Sequence, residues 1–136
     1  MTLRINQLLG RNFTLFLAVS YTIFVTIAFL SPSTGLSRFI FKIPFIPIDK
    51  LVHFIIHTIL LLLWVFYFWK QHNQKLKRRQ YSYIFLSCIM YGIIIELLQD
   101  VYVPSRQGDV FDIFANTIGT FVGLFMFFKI KNRITS

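Results

Sequence analysis

Cysteine is almost missing from this 136-residue chain, where Cys88 is the single one. One cysteine excludes a disulfide framework and a cysteine-based zinc site within the chain. Cys88 lies inside an apolar run and reads as a small packing residue. Acidic residues are scarce as well, five Asp and Glu against fourteen Lys and Arg, for a formal charge of +9. Charged residues of both signs reach only 14%, against roughly 25% in soluble domains. What fills the space is hydrocarbon: 56% hydrophobic residues, seventeen of them Phe, and a mean hydropathy of +0.66. A nucleic-acid-binding domain of this basicity does not carry four apolar runs near membrane-spanning length, so no nucleic acid is expected as a partner. The length is too short for two ordinary domains. One integral membrane domain over residues 1–136 is expected.

Charges divide the chain into four candidate spans, at about 13–30, 50–69, 81–99 and 109–128. Phe13 to Leu30 and Leu51 to Trp69 contain no charged residue. At about 1.5 Å rise per residue, such runs reach roughly one hydrocarbon thickness. Backbone groups in lipid must bond within their own segment, which makes these runs helices. The expectation is an all-α, four-helix transmembrane bundle. Arg4, Arg11, Lys70, Lys75, Lys77, Arg78, Arg79, Lys129, Lys131 and Arg133 share one side if all four helices span. Arg38, Lys42, Lys50 and Arg106 fall on the other. The positive-inside rule then places both termini in the cytoplasm and accounts for the basic excess without a polyanionic partner. The competing reading of the first run as a cleaved signal peptide meets a poor cleavage site and a core that is too long. Between the first two spans, Pro44 and Pro47 prevent a long helix. Residues 31–48 therefore read as a short interfacial or re-entrant outer loop, with Arg38 and Lys42 reaching toward headgroups.

All five acids fall near the outer boundary of this arrangement: Asp49 opening the second helix, Glu96 and Asp100 closing the third, Asp109 and Asp112 opening the fourth. Lys50, His53, His57, Gln99, Arg106 and Asn116 gather beside them. Asp49, His53 and His57 recur every four residues and share one helix face. Asp109, Asp112, Asn116, Gly119, Thr120 and Gly123 fall within a stripe of roughly 100°. Ala115, Gly119 and Gly123 have the small-residue spacing that lets helices approach closely, within one chain or between copies in an oligomer. A polar, ionisable pocket at the outer end of a tight bundle is the expected result. Asp49 and Asp109 also suit helix N-termini as caps, and Asp112 suits a reciprocal capping arrangement with Asp109. Asp100 reads as a solvated loop residue. Glu96 lies in the last turn of its helix, where the dipole disfavours an anion, so capping does not explain it. An unpaired charge in the bilayer costs roughly 3 kcal/mol, and Arg106 is the nearest candidate partner.

Three motifs in order resemble the VanZ-like family: Asp49-Lys50-x-x-His53-Phe54; Gly92-Ile93-Ile94-Ile95-Glu96-x-x-Gln99; and Pro104-x-Arg106-x-x-Asp109-x-x-Asp112-x-x-Ala115-Asn116, followed by Gly119 and Gly123. The resemblance covers roughly residues 45–125. It implies a small multi-pass protein of the bacterial plasma membrane, in a family whose founding member is associated with low-level resistance to the glycopeptide teicoplanin. It also marks Asp49, His53, Glu96, Gln99, Arg106, Asp109, Asp112 and Asn116 as signature positions, without giving them roles. His57 departs from the pattern, which usually has Tyr there, and adds a second imidazole in place of a phenol.

Three functions follow from this reading. The outer pocket binds the polar part of an amphiphile: a membrane lipid headgroup, a lipid-linked envelope precursor or a lipophilic glycopeptide. Alternatively, Glu96 or Asp112 works with His53 as acid and base on such an amphiphile. Alternatively, the cluster only holds the helix ends together. A transporter is disfavoured by the small number of helices. No ligand-spacing signature for a metal and no cofactor motif is present, so neither is expected.

Overall fold

The computed structural model describes residues 2–31, 48–103 and 109–135. Those residues form four helices and, among them, no strand: α1 Thr2–Leu30, α2 Ile48–Gln71, α3 Arg78–Tyr102 and α4 Val110–Thr135. Each contains a stretch long and apolar enough to cross a membrane. The helices mostly run past the apolar stretches that mark them, because hydropathy locates hydrocarbon while Lys, Arg and Gln continue a helix readily. One consequence corrects an expectation. Glu96 is not in the last turn of α3, which continues to Tyr102, and Asp100 is an exposed helical residue rather than part of a loop. The expected outer loop lies outside the described residues between its ends, with Arg38 and Lys42, and so does the 104–108 segment with Arg106.

The helices alternate in direction. Phe29 near the end of α1 stacks on His53 near the start of α2, while Trp69 near the end of α2 packs on Phe127 near the end of α4. α2 touches all three other helices, and α3 touches them too; α1 and α4 lie on opposite sides of this pair and do not meet among the described residues. The Tyr21 hydroxyl donates to the Ile56 carbonyl at 3.2 Å, and Trp64 Nε1 donates to Thr22 Oγ1 at 3.1 Å, tying α1 to α2. A hydroxyl bond of 2.8 Å between Thr26 and Tyr91 ties it to α3.

The tightest seam is α2 against α4. A side-chain carbon on Gly119 would run into the backbone carbonyl of Phe54, and one on Gly123 would sit 2.7 Å from the carbonyl oxygen of Thr58. Thr58 Oγ1 donates across the seam to the Gly119 carbonyl at 3.0 Å. Of the two contacts expected for these glycines, the one within the chain is present: both face α2.

Inside and outside are distributed as hydrocarbon demands. Phe13, Phe16, Phe24, Phe111, Phe121 and Phe125 are exposed. His53, His57, Glu96, Gln99, Asp112 and Asn116 are buried. The two ends differ sharply. Arg11, Lys70, Lys75, Arg78, Lys129 and Arg133 lie toward one end, over an apolar core of Leu61, Val65, Trp69, Tyr81 and Phe127. All five acids lie toward the other.

Candidate functional site

Chain direction builds the acidic end. It joins the C-terminal ends of α1 and α3 to the N-terminal ends of α2 and α4, so residues far apart in sequence meet there. Asp109 stands just ahead of α4, and its Oδ1 accepts the Phe111 backbone N–H at 2.9 Å. The expected cap is present, and it uses one oxygen. The other, Oδ2, accepts from Lys50 Nζ at 2.6 Å. The Lys50 ammonium also reaches Asp112 Oδ1 at 3.2 Å, so one cation ties the start of α2 to the first turn of α4 and the residue ahead of it. Asp112 turns its oxygens to Lys50 and His53, which takes the place of the reciprocal cap expected for it.

Beneath this rim lies a buried floor. His53 Nδ1 is 3.2 Å from Glu96 Oε1 and 3.1 Å from Asn116 Oδ1. Asn116 Nδ2 is turned to the same Glu96 oxygen at 3.5 Å. On the opposite side of the ring, His53 Nε2 is 3.9 Å from Asp112 Oδ2. Phe29 stacks on the imidazole with centroids 4.5 Å apart. Glu96 has His53 and Asn116 beside it, and its expected partner Arg106 lies outside the described residues. Exposure falls from the rim to the floor, with side chains 31% exposed at Lys50, 39% at Asp109 and 3% at Glu96.

Six of the eight signature positions converge: Asp49, His53, Glu96, Asp109, Asp112 and Asn116. Gln99 does not join them. It is buried, and its Nε2 donates to the Phe29 carbonyl at 2.9 Å, filling one of the acceptors left open at the end of α1. Arg106 is outside the described residues. Two contributors were not marked as site residues by the sequence. Lys50 had a signal, its place beside Asp49 in the first motif. Phe29 had none, being one of seventeen phenylalanines.

Asp49, His53 and Asp112 each present a donor atom, and these lie within 4.8 Å of one another. One turn deeper on the same face, the His57 ring has no hydrogen-bond partner on either nitrogen among the described residues. It lies beside Gly92, where a side-chain carbon would meet His57 Cε1 at 2.8 Å and Asn116 Cβ at 3.2 Å. Its ring centroid is 6.0 Å from that of Tyr91, and Tyr91 lines an apolar cavity of about 520 Å³ with Thr22, Leu60, Trp64, Ile84 and Cys88. Polar cluster and apolar cavity are therefore neighbours, joined through His57 and Tyr91.

The Lys50 bond, reinforced by the Phe111 N–H, holds the Asp109 carboxyl below the ordinary carboxylate range. A carboxyl whose folded value is depressed stabilises the fold above its unfolded value of about 4, and that contribution disappears as pH falls through the folded value. Lys50→Met should move the Asp109 midpoint upward in a carboxyl-resolved NMR titration. An unchanged midpoint would show that Lys50 does not hold it.

No curated protein and no solved structure matches this chain. The VanZ/LLP1 family profile matches residues 4–132, nearly the whole length and all four helices. Together with four helices able to span a membrane and the three motifs meeting at one end of the bundle, this match makes the chain a member of the VanZ/LLP1 family.

Proposed function

We propose that this protein sits in the bacterial plasma membrane with both termini in the cytoplasm and binds the head of an amphiphile at the acidic, outward end of the bundle. The observation that carries the reading is the convergence of all five acids on one end, with a polar floor that grades from exposed Asp49 to buried Glu96. The segregation of basic residues to the opposite end supports the orientation. An acid-rich rim favours heads that bring amines, hydroxyls or amides. Aminosugar and peptide groups of a lipid-linked envelope precursor meet that requirement, and so does a lipophilic glycopeptide such as teicoplanin. The apolar cavity beside Tyr91 is long enough in apolar wall to take part of an acyl chain.

Purified protein in detergent, titrated with a fluorescent lipid-linked disaccharide-peptide and with labelled teicoplanin, should bind at least one of them saturably. Glu96→Gln and Asp112→Asn should weaken that binding about tenfold or more while retaining the thermal midpoint. Absence of saturable binding to either probe overturns the reading. If both variants unfold, the cluster is a clamp on the helix ends and not a binding site. A second reading has one observation in its favour: His53 lies between two carboxylates, which is an arrangement suited to acid–base chemistry. Appearance of a new lipid species on incubation, lost in His53→Gln, would select it.

A further inference from the structure

We infer that Asp49, His53 and Asp112 form a site for one divalent cation of the manganese or zinc class. The ring geometry is the first argument. His53 Nδ1 faces Glu96 Oε1 at 3.2 Å and Asn116 Oδ1 at 3.1 Å, and both are acceptors. The Asn116 amide is oriented by its own Nδ2, which turns to Glu96 at 3.5 Å. Nδ1 therefore carries the hydrogen, and the lone pair of the neutral ring lies on Nε2. That nitrogen faces Asp112 Oδ2 at 3.9 Å, too long for a hydrogen bond and short enough to be bridged by two metal–ligand bonds of about 2.1 Å. A carboxylate holding the far nitrogen of a histidine is the usual support for a metal-bound imidazole. Glu96 is thus a positioning residue rather than a ligand. The Phe29 stack fixes the plane of the same ring.

Charge is the second argument. Among the described residues, one ammonium, that of Lys50, serves the Asp109 and Asp112 carboxylates, while Asp49 adds a further carboxylate beside Asp112 and His53. Lys50 reaches Asp109 and Asp112 Oδ1 and leaves Asp112 Oδ2 turned to His53. Asp112 is 5% exposed, so water screens it little. A dication answers this excess with two carboxylates and one imidazole. That mixed oxygen and nitrogen set suits manganese or zinc better than calcium or magnesium, which take oxygen alone.

A third observation is independent of the donors. His57, fully buried against Gly92 and Asn116, has no partner for either ring nitrogen among the described residues. A buried polar group without a protein partner indicates a water or an ion held nearby. Water coordinated to a cation one turn above would supply that partner.

The inference deepens the proposed function, because a bound cation lets the acidic rim accept an anionic head that bare carboxylates would repel. It is nonetheless measured without any amphiphile, so the two can fail separately. Full-length protein carrying a non-histidine affinity tag is stripped with EDTA in detergent and titrated with Mn²⁺, following the loss of the free-ion EPR signal. One Mn²⁺ per chain should bind, and Zn²⁺ should displace it. Asp49 is exposed on the first turn of α2, so Asp49→Asn should keep the thermal midpoint and weaken Mn²⁺ binding about tenfold. Glu96→Gln should weaken it less and should also broaden the spectrum of the bound ion, because the ring is no longer held in one orientation. Failure of both ions to bind saturably, or equal Mn²⁺ binding by wild type and Asp49→Asn, overturns the inference.

Discussion

Replacing Gly119 by valine should leave no folded bundle. Gly119 faces the Phe54 carbonyl so closely that even a methyl group collides with backbone, which cannot swing away as a side chain can. Relief requires α2 and α4 to separate, which breaks the 3.0 Å bond from Thr58 Oγ1 to the Gly119 carbonyl. It also draws Lys50 away from Asp109 and Asp112, since the same two helices carry them. Overpacking by a methylene or two typically costs about 1–3 kcal/mol, and a clash against backbone belongs at or above the top of that range. Gly119→Ala should accordingly be strongly destabilised, and Gly119→Val should fail to fold. Cys88 reports this directly, because it is buried at 4% exposure and is the single thiol in the chain. A thiol-reactive dye should label wild type only on heating, Gly119→Ala at a clearly lower temperature, and Gly119→Val without heating. Equal labelling profiles for wild type and Gly119→Ala would mean that the two helices do not pack through this glycine.

His53→Leu should be the most damaging change within the cluster. The imidazole stands between Glu96 and Asp112, both nearly without water. Leucine fills similar volume and removes the Nδ1–H that faces the Glu96 carboxylate. Breaking a buried charged arrangement from one side costs about 3–5 kcal/mol, because the groups left behind are neither hydrated nor paired. That corresponds to a fall of roughly 10–20 °C in thermal midpoint for a domain of this size. The double variant His53→Leu/Glu96→Leu should recover much of the loss, since it removes the stranded carboxylate as well. A single variant as stable as wild type, or a double variant whose loss equals the sum of the two single losses, would show that the groups do not act together.

Much of this was legible in the sequence, and unevenly so. The Phe13–Leu30 and Leu51–Trp69 runs were unambiguous because lipid forces backbone satisfaction within each segment, and their composition needs no partner to interpret. The small stripe of Gly119 and Gly123 marks the face of α4 that turns into the bundle, but spacing does not say which helix meets it, and the structure shows α2. Gln99 illustrates a second kind of ambiguity. Its place in a motif beside Glu96 says nothing about whether its amide faces a ligand or, as found, the open carbonyl of Phe29. Helix ends were the weakest point. The polarity that follows Glu96 makes it look terminal, whereas α3 continues through that polarity to Tyr102.

Residue order is enough for the four apolar spans, for the gathering of every acid toward one end and for the place of four of the five acids in three motifs, because alternating spans fix which ends of helices coincide. Only the packed helices reveal that Lys50 is shared by two aspartates, that Phe29 stacks on the ring of His53, and that donor atoms of Asp49, His53 and Asp112 lie within 4.8 Å of one another. Those facts depend on the rotation of each helix about its axis and on ångström-scale separations, which are set by packing along the Gly119 and Gly123 seam and leave no trace in residue spacing.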